Sequence, residues 1–230
     1  ILVSKTRELI NMAVNFSTKA GTLDALQFVV KSARILPLIF FSVRDWNENR
    51  DSILTKTIEK LGLGPWIVRS SSSEEDGELQ SNAGAFLSIQ NVNSKGELGN
   101  AIDRVIESYG AAKLSDEILV QPMLQDVCRS GVAFSHDPNT CAPYRVISWS
   151  DTSDTSVVTG GLGGRVWQTI AGSKNNSEEQ FNPIILLIEE LLDLFQQKPV
   201  DCEFAFTLEQ GVEVLWLLQA RPLVLSDKPE

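Results

Sequence analysis

DCEFAFTLEQGVEVLWLLQARP, at residues 201–222, is the most informative stretch of the chain. Aromatic and β-branched residues fill both of its arms and Gly211 lies between them, which predicts a β-hairpin. Because side chains alternate along a strand, Asp201 and Glu203 share a face of the first arm, and Gln219 and Arg221 share a face of the second. With the turn near residue 210, the two pairs lie within cross-strand reach, although alternation does not fix the register. The other face is predicted to be core and carries Cys202, Phe204, Phe206, Trp216, Leu218 and Ala220.

The polar face of this hairpin has two interpretations. Carboxylate and amide oxygens are the hard ligands that Mg²⁺ prefers, and the planar guanidinium of Arg221 suits a phosphate oxygen. The alternative is a ladder of opposite charges on a solvated sheet surface, which is common in antiparallel sheets. The hairpin by itself is compatible with both interpretations, so the rest of the chain has to decide between them.

Size and composition exclude several classes of protein. The chain has 230 residues, 43% of them hydrophobic and 22% charged, which is enough for one large domain or two smaller lobes. A net charge of −10 argues against broad binding of nucleic acid or of an anionic membrane. Cys128, Cys141 and Cys202 are scattered, without a CxxC pair or a histidine cluster, so we expect neither a zinc site nor a disulfide framework.

The location of the protein follows from the same observations. Unpaired cysteines suit a reducing compartment, and we expect a cytoplasmic protein. No apolar run reaches the roughly 18 residues of a membrane span, and no signal peptide is visible. Because the chain begins at Ile1 rather than Met, we expect it to be a piece of a longer protein.

The order of predicted elements changes part-way along the chain. We predict helices at residues 5–15, 22–34, 49–61, 94–109 and 182–197. We predict strands at residues 35–43, 66–68, 85–92, 118–124, 130–134, 144–149 and 156–159. Thr22 and Asn182 are the predicted caps of their helices, and the strands at 118–124 and 130–134 are predicted to pair with each other.

These elements predict an α+β fold with mixed and antiparallel sheets. The first half of the chain mixes helices with strands, whereas the second half is mainly antiparallel strands with one long apolar helix. We therefore predict two lobes, at residues 1–116 and 117–230. A cleft between lobes is the usual place for a ligand.

A second informative segment follows the short predicted strand at residues 66–68. It reads Val68-Arg69-Ser70-Ser71-Ser72-Ser73-Glu74-Glu75-Asp76. Arg69 supplies positive charge, and successive small polar residues can present hydroxyl and backbone N–H groups to an anion. A flexible, solvated serine loop is the alternative. Against it, the run adjoins an apolar strand and is followed by a second loop of small residues.

Five blocks of this sequence resemble, in order, the phosphoenolpyruvate synthase and pyruvate phosphate dikinase family. They are FSTKAGTL at 16–23, VRSSSSEED at 68–76 with Ala83-Gly84 downstream, VQPM at 120–123 with SGVAFSHDP at 130–138, DCEFA at 201–205, and LQARP at 218–222. Each block alone is weakly specific, whereas their order along most of the chain is specific. The resemblance implies a two-lobed ATP-grasp fold that closes over ATP.

Carried over position by position, the resemblance implies a function for each matched residue. Lys19, Arg69 and Arg221 are expected to contact the phosphates as catalytic residues. Glu203 and Gln219 are expected to hold Mg²⁺. The cofactors implied are therefore ATP and Mg²⁺.

The same resemblance implies the remaining contacts and the partners. Gln121 and Met123 are expected at the adenine-facing hinge between the lobes, and Asp201 in the polar floor of the ATP site. In the family, this domain phosphorylates a histidine on a separate swivelling domain, which carries the phosphoryl group to a third site. The expected partners are thus a histidine-bearing phosphocarrier domain and a small-molecule acceptor.

Two departures from the family pattern keep alternatives open. The loop Gly160-Gly161-Leu162-Gly163-Gly164 lacks the acidic residue of the family's loop, so it either covers the nucleotide or is a plain mobile loop. His136, the only histidine, replaces a typical Arg and is either a turn residue before Asp-Pro or a catalytic group. The alternative enzyme is an ATP-grasp ligase that forms an acyl-phosphate. The alternative outside catalysis is a nucleotide-sensing domain.

Overall fold

The computed structural model of the chain describes residues 13–72, 87–151, 164–173 and 178–224, together with the backbone of residues 76–77 and 80–81. The helices are α1 (Lys19–Leu26), α2 (Val43–Leu61), α3 (Lys95–Ser108) and α4 (Asn182–Leu194), preceded by a 3-10 turn at Glu179–Phe181. The strands are β1 (Ile39–Ser42), β2 (Trp66–Ser71), β3 (Asp76–Gly77), β4 (Gln80–Ser81), β5 (Ser88–Val92), β6 (Glu117–Pro122), β7 (Val127–Phe134), β8 (Tyr144–Ser150), β9 (Arg165–Ile170), β10 (Val200–Glu209) and β11 (Val212–Pro222). None of the helices in these ranges is long and apolar enough to cross a membrane.

The first sheet has the strand order β1-β6-β2-β5, and α2 and α3 pack on one of its faces. Helix α3 forms because apolar residues recur at helical spacing, so that Leu98, Ile102 and Val105 are fully buried. They pack with Trp66 and Val68 of β2 in a cluster that we call the first core. The other face of this sheet is left to contact the rest of the molecule.

The second sheet has the strand order β11-β10-β7-β8-β9. The apolar face of α4 packs on it, with Leu187 and Leu191 completely buried beside Phe204 of β10. Helix α1 belongs to the same cluster, which we call the second core, through Leu23 and Leu26. The prediction of an α+β fold is confirmed. All described strand pairs of the two large sheets are antiparallel, so neither of them is the mixed sheet that was also predicted.

The predicted pairing of residues 118–124 with 130–134 is wrong. Strand β6 pairs with β1 and β2 in the first sheet, whereas β7 pairs with β10 and β8 in the second. Two adjacent apolar runs look like a hairpin in sequence, but they belong to different sheets. Residues 20–38 contribute to the second core, and Ile118 and Val120 to the first. The two cores therefore do not follow the predicted halves at residues 1–116 and 117–230, and the division into domains stays a prediction.

Two predicted helix caps are wrong, and the helix predicted at residues 49–61 begins earlier, at Val43, with Ser42 as its cap. Helix α1 begins at Lys19, because the Thr18 hydroxyl accepts a hydrogen bond from the Gly21 N–H and caps the first turn; Thr22 lies inside the helix. Phe181, rather than Asn182, precedes the first turn of α4. Of the helix predicted at 5–15, residues 13–15 are not helical and the rest lies outside the described residues, as does the strand predicted at 156–159.

The C-terminal hairpin forms as predicted, with a two-residue turn. Both turn residues, Gln210 and Gly211, have positive φ, at 50° and 83°, which matches the right-handed twist of the two strands. Opposite Glu203–Phe204 the register shifts by one residue, so Leu218 is an extra residue on β11. This bulge reverses the alternation.

Because of the bulge, the predicted core face is right for β10 and wrong for most of β11. Cys202, Phe204 and Phe206 of β10 are buried in the second core, as predicted, and so is Ala220 beyond the bulge. Before the bulge, the buried residues of β11 are Leu215 and Leu217 instead of the predicted Trp216 and Leu218, which are only half-buried.

Candidate functional site

The polar face of the hairpin brings the four predicted residues together as two facing pairs. Asp201 lies opposite Arg221, and Glu203 opposite Gln219. Arg221 Nε donates to both carboxylate oxygens of Asp201, at 2.7 and 2.9 Å. The charged side chains of this face are at most 16% exposed, which argues against a solvated ladder of charges.

Arg69 reaches this face from the other sheet. It lies on β2, and its guanidinium donates to Gln219 Oε1 at 3.1 Å and to Glu203 Oε2 at 3.3 Å. It also donates to the carbonyl oxygen of Leu218, the bulge residue, at 3.3 Å. The structure therefore joins the predicted phosphate-binding arginine to the predicted metal-binding pair across the two sheets.

Lys19 lies at the same place, where β2 of the first sheet meets the hairpin of the second; we call this place the junction. Lys19 is the first residue of α1, it is buried, and its Nζ lies 3.3 Å from the carbonyl oxygen of Ser70, the residue after Arg69. The helix is anchored in the second core by Leu23 and Leu26, while its first turn lies against β2 of the first sheet. Lys19 thus contacts the residue next to Arg69, although 51 positions separate it from Ser70 in the sequence.

Two hydroxyl groups of the serine run connect neighbouring segments of the chain. Ser71 Oγ accepts from the Ala20 N–H at 2.9 Å, and Ser72 Oγ donates to Asp116 Oδ1 at 2.9 Å. Both serines are buried, which argues against a solvated loop. Anion binding by this segment stays a prediction. Residues 73–75 lie outside the described part of the chain.

The donor and acceptor set of this junction fits a magnesium-bound phosphate chain. Arg69 Nε is buried and has no hydrogen-bond partner among the described residues, so its N–H suits a phosphate oxygen.

The metal-binding half of the set is smaller. Glu203 and Gln219 offer carboxylate and amide oxygens, the ligand types that Mg²⁺ prefers. Within the described ranges, no group of three or more His, Cys, Asp and Glu side chains stands together as a metal site. A magnesium ion here would therefore need further oxygens from the phosphates or water, which is how Mg²⁺ is usually held beside nucleotides.

Gln121 and Met123 lie at the end of β6, where the chain leaves the first sheet for the second. Gln121 is buried, and its Nε2 lies 3.5 Å from the carbonyl oxygen of Leu36. The Met123 N–H donates to the Pro65 carbonyl at 2.8 Å, and its sulfur accepts from the Asn91 N–H at 3.4 Å. Their place between the sheets suits a hinge, and their contact with adenine stays a prediction.

His136 lies in the loop between β7 and β8. Its Nδ1 is 3.0 Å from Ser135 Oγ. Burial, and then the positive charge of Arg145, lower the pKa of His136 below its ordinary value. Asp137 Oδ1 accepts from the Asn139 and Thr140 N–H groups, which closes a turn at this point.

The predicted glycine loop falls largely outside the described residues. Of its positions 160–164, only Gly164 is described, immediately before β9. A Cβ atom at Gly164 would lie 2.8 Å from the Trp149 carbonyl oxygen, so a side chain does not fit there without a shift. Whether the glycine loop covers a nucleotide or is a plain mobile loop is not tested, and both stay predictions.

Two contacts of the site carry no sequence signal. Thr18 Oγ1 donates to Glu117 Oε2 at 2.6 Å, between residues 99 positions apart. Arg69 donates to the Leu218 carbonyl, which faces it only because of the bulge. Neither a motif nor a periodicity marks such partners, because they are set by how the two sheets meet.

Comparison with solved structures identifies the fold. The protein PH1788 from Pyrococcus horikoshii aligns with 99% of this chain and 98% of its own, at a TM-score of 0.55 and 14% identity. A dinucleotide-forming acetyl-coenzyme A synthetase from Ca. Korarchaeum cryptofilum, in complex with coenzyme A, Ca-AMPCP and HgCl⁺, aligns with 97% of this chain and 98% of its own, at a TM-score of 0.50 and 10% identity. The chain has the ATP-grasp fold.

A third similarity is less extensive. The D-alanine–D-alanine ligase of Helicobacter pylori aligns with 91% of this chain, at a TM-score of 0.48 and 14% identity, and the chain spans 57% of that ligase. No protein-family model and no curated protein sequence matches the chain. The finer assignment to the phosphoenolpyruvate synthase and pyruvate phosphate dikinase family stays a prediction.

Proposed function

We propose that this chain binds Mg²⁺-ATP at the junction of its two sheets and holds the terminal phosphate for transfer. The observation that carries the proposal is the contact of Arg69 with both Glu203 and Gln219. A largely buried guanidinium from one sheet and two oxygen donors from the other meet at a single point, with Lys19 beside them. ATP-grasp architecture is independent support, because it comes from the backbone alone.

Some residues of the junction bind phosphate and others bind the metal. Lys19 and Arg69 bind phosphate oxygens, and Arg221 adds positive charge from its position beside Asp201. Glu203 and Gln219 hold the metal, which neutralises charge on the phosphates when it is bound. Transfer then depends on positioning and electrostatic stabilisation, which these side chains supply from rigid strands and the first turn of a helix.

Two acceptors are compatible with this site. The motif resemblance supports transfer to a histidine on a separate domain and from there to a small molecule. His136, the only histidine of this chain, lies in the β7–β8 loop beside Ser135, and the resemblance assigns the acceptor imidazole to a separate domain instead. The second candidate is phosphorylation of a carboxylate. It is favoured by the likeness to an acetyl-coenzyme A synthetase, which extends over almost the whole of both aligned chains.

Calorimetry with ATP and Mg²⁺ tests the binding proposal. We expect saturable binding by the wild-type chain, and a loss of about tenfold or more in Arg69→Met, which keeps the length of the side chain but removes its charge. Arg50→Met is the matched control, because Arg50 pairs with Asp103 on the outer helices, away from the junction. No binding by the wild-type chain at millimolar nucleotide contradicts the proposal.

Labelled ATP distinguishes the two acceptors. We expect no label on the isolated chain, and an acid-labile label once a histidine-bearing domain is added, if the histidine route is right. A hydroxylamine-sensitive label on an added carboxylic acid supports the ligase candidate instead. Acid-labile phosphate on His136 of the isolated chain contradicts the requirement for a separate domain.

A further inference from the structure

The first turn of α1 joins parts of the molecule that pack in different cores. Its apolar side chains Leu23 and Leu26 are completely buried in the second core. Its N-terminus is bonded to the first sheet instead. The Ala20 N–H donates to Ser71 Oγ at 2.9 Å, and the Thr18 hydroxyl donates to the Glu117 carboxylate at 2.6 Å.

Glu117 is the residue on which these links converge. It begins β6 and lies opposite Ser71 in the strand register. Its side chain holds Thr18, the residue immediately before Lys19. Its carbonyl oxygen accepts from the Tyr109 hydroxyl, and the same hydroxyl accepts from the Ser71 N–H at 3.0 Å.

The consequence concerns the spacing of two cations. Lys19 follows Thr18 directly, and Arg69 precedes Ser70 and Ser71 on β2. Because Glu117 and Ser71 hold both segments, we expect this network to set the separation of Lys19 and Arg69. Like charges repel, so without such links we expect the first turn of the helix to move away from β2.

We propose that Glu117 is a positioning residue that holds Lys19 and Arg69 at the spacing a polyphosphate chain requires. The inference rests on the proposed function, since it assigns both cations to phosphate. Glu117 itself does not contact the nucleotide in this proposal. Its effect is transmitted through Thr18, which uses one hydroxyl both to cap α1 and to bind the carboxylate.

Selectivity between nucleotides tests this positioning. We expect Glu117→Ala to weaken ATP binding about tenfold, while AMP, which has a single phosphate, loses less than about twofold. Glu117→Gln keeps an oxygen that can accept from Thr18, so it should restore most of the ATP affinity. Competition binding with ATP and AMP in the presence of Mg²⁺ measures both.

A matched control separates positioning from general loss of stability. Glu190 also holds a distant segment through its carboxylate, accepting from the Lys31 and Ser32 N–H groups at 2.9 and 2.8 Å. It lies on α4, and within the described ranges none of its hydrogen bonds reaches the junction. Glu190→Ala should therefore leave the ratio of ATP to AMP affinity unchanged. Amide exchange at Ala20 should accelerate in Glu117→Ala and stay unchanged in Glu190→Ala.

The outcomes are distinct. An unchanged ATP affinity in Glu117→Ala, an equal loss for ATP and AMP, or no recovery in Glu117→Gln each overturns the positioning proposal while ATP binding by the wild-type chain stands. A wild-type chain that binds no ATP overturns the proposed function, and the positioning proposal with it.

Discussion

The two faces of the β10–β11 hairpin differ in what their side chains contact. On one face, Phe204 and Phe206 pack against each other with ring centroids 6.0 Å apart, inside a cluster built from α1, α4 and the second sheet. On the other face, Glu203 and Gln219 meet a side chain from the first sheet. The same two strands thus serve stability on one side and, in our proposal, binding on the other.

Cys202 illustrates the difference between the faces. It is fully buried in the core between two acidic neighbours in sequence. Burial first, and then the negative charges of Asp201 and Glu203, raise the pKa of its thiol far above the ordinary value. The thiol therefore stays protonated and acts as a small apolar side chain. A thiol on the core face is thus unreactive, although the residues on either side of it belong to the candidate site.

Truncation of the core face should have the largest effect. Phe204→Ala removes a completely buried ring, and we expect a loss of about 3–5 kcal/mol in the free energy of unfolding. Leu208→Ala, at an exposed position of the same strand, is the control and should change little. Denaturant unfolding measures both. A loss below about 1 kcal/mol in Phe204→Ala contradicts the assignment of this face to the core.

The bulge divides neighbouring leucines between the faces, and this predicts unequal losses. Leu217 is buried in the core, so Leu217→Ala should cost about 2–5 kcal/mol. Leu218, the bulge residue, contributes its carbonyl to Arg69 and is only half-buried, so Leu218→Ala should cost less than about 1 kcal/mol. Equal losses in the same unfolding assay contradict the shift in register.

The polar face should respond in binding rather than in stability. Glu203→Ala removes a carboxylate that is proposed to hold the metal, and we expect Mg²⁺-ATP affinity to fall about 10–100-fold. The melting temperature without nucleotide should change much less than in Phe204→Ala. Calorimetry and thermal unfolding on the same samples compare the two. If Glu203→Ala unfolds the protein instead, the residue is structural.

Local features of this molecule could be predicted from sequence, and contacts between sheets could not. Alternation along two strands and one glycine turn are local, so the hairpin itself was predictable. The pairing of Asp201 with Arg221 and of Glu203 with Gln219 depends in addition on the bulge, which shifts the register by one residue. The bulge at Leu218 has no residue signature, and it reversed the prediction for Trp216 and Leu218. The prediction of the cap at Thr22 failed because Thr18, four residues earlier, is an equally good capping residue.

The contact of Arg69 with the hairpin could not be predicted from alternation or from the turn residues. The bonded residues are 134 and 150 positions apart, and only the ordered motifs suggested that they share a site. Pairing of strands β6 and β7 was mispredicted for a related reason. Adjacent apolar runs carry no mark of the sheet they join, because each is equally able to bury its side chains in either core.

The smallest expected effect concerns His136, which lies on neither face of the hairpin but is linked to its first residue. Ser135 Oγ accepts from the Val200 N–H at 2.8 Å and lies 3.0 Å from His136 Nδ1. Burial and Arg145 lower the pKa of His136, so just below its ordinary pKa of about 6.5 the unfolded chain binds more protons than the folded chain. Stability therefore falls as pH drops through this window.

We expect His136→Gln to flatten that dependence by removing the only histidine of the chain. The pKa values of Asp45 and Asp137 are also lowered, by hydrogen bonds to their carboxylates, but their contributions are lost only at more acidic pH. Urea unfolding between about pH 7.5 and pH 5 measures the slope. An identical slope in wild type and His136→Gln would show that the imidazole is titrating as it does in the unfolded chain, and that Arg145 and burial leave no mark on stability.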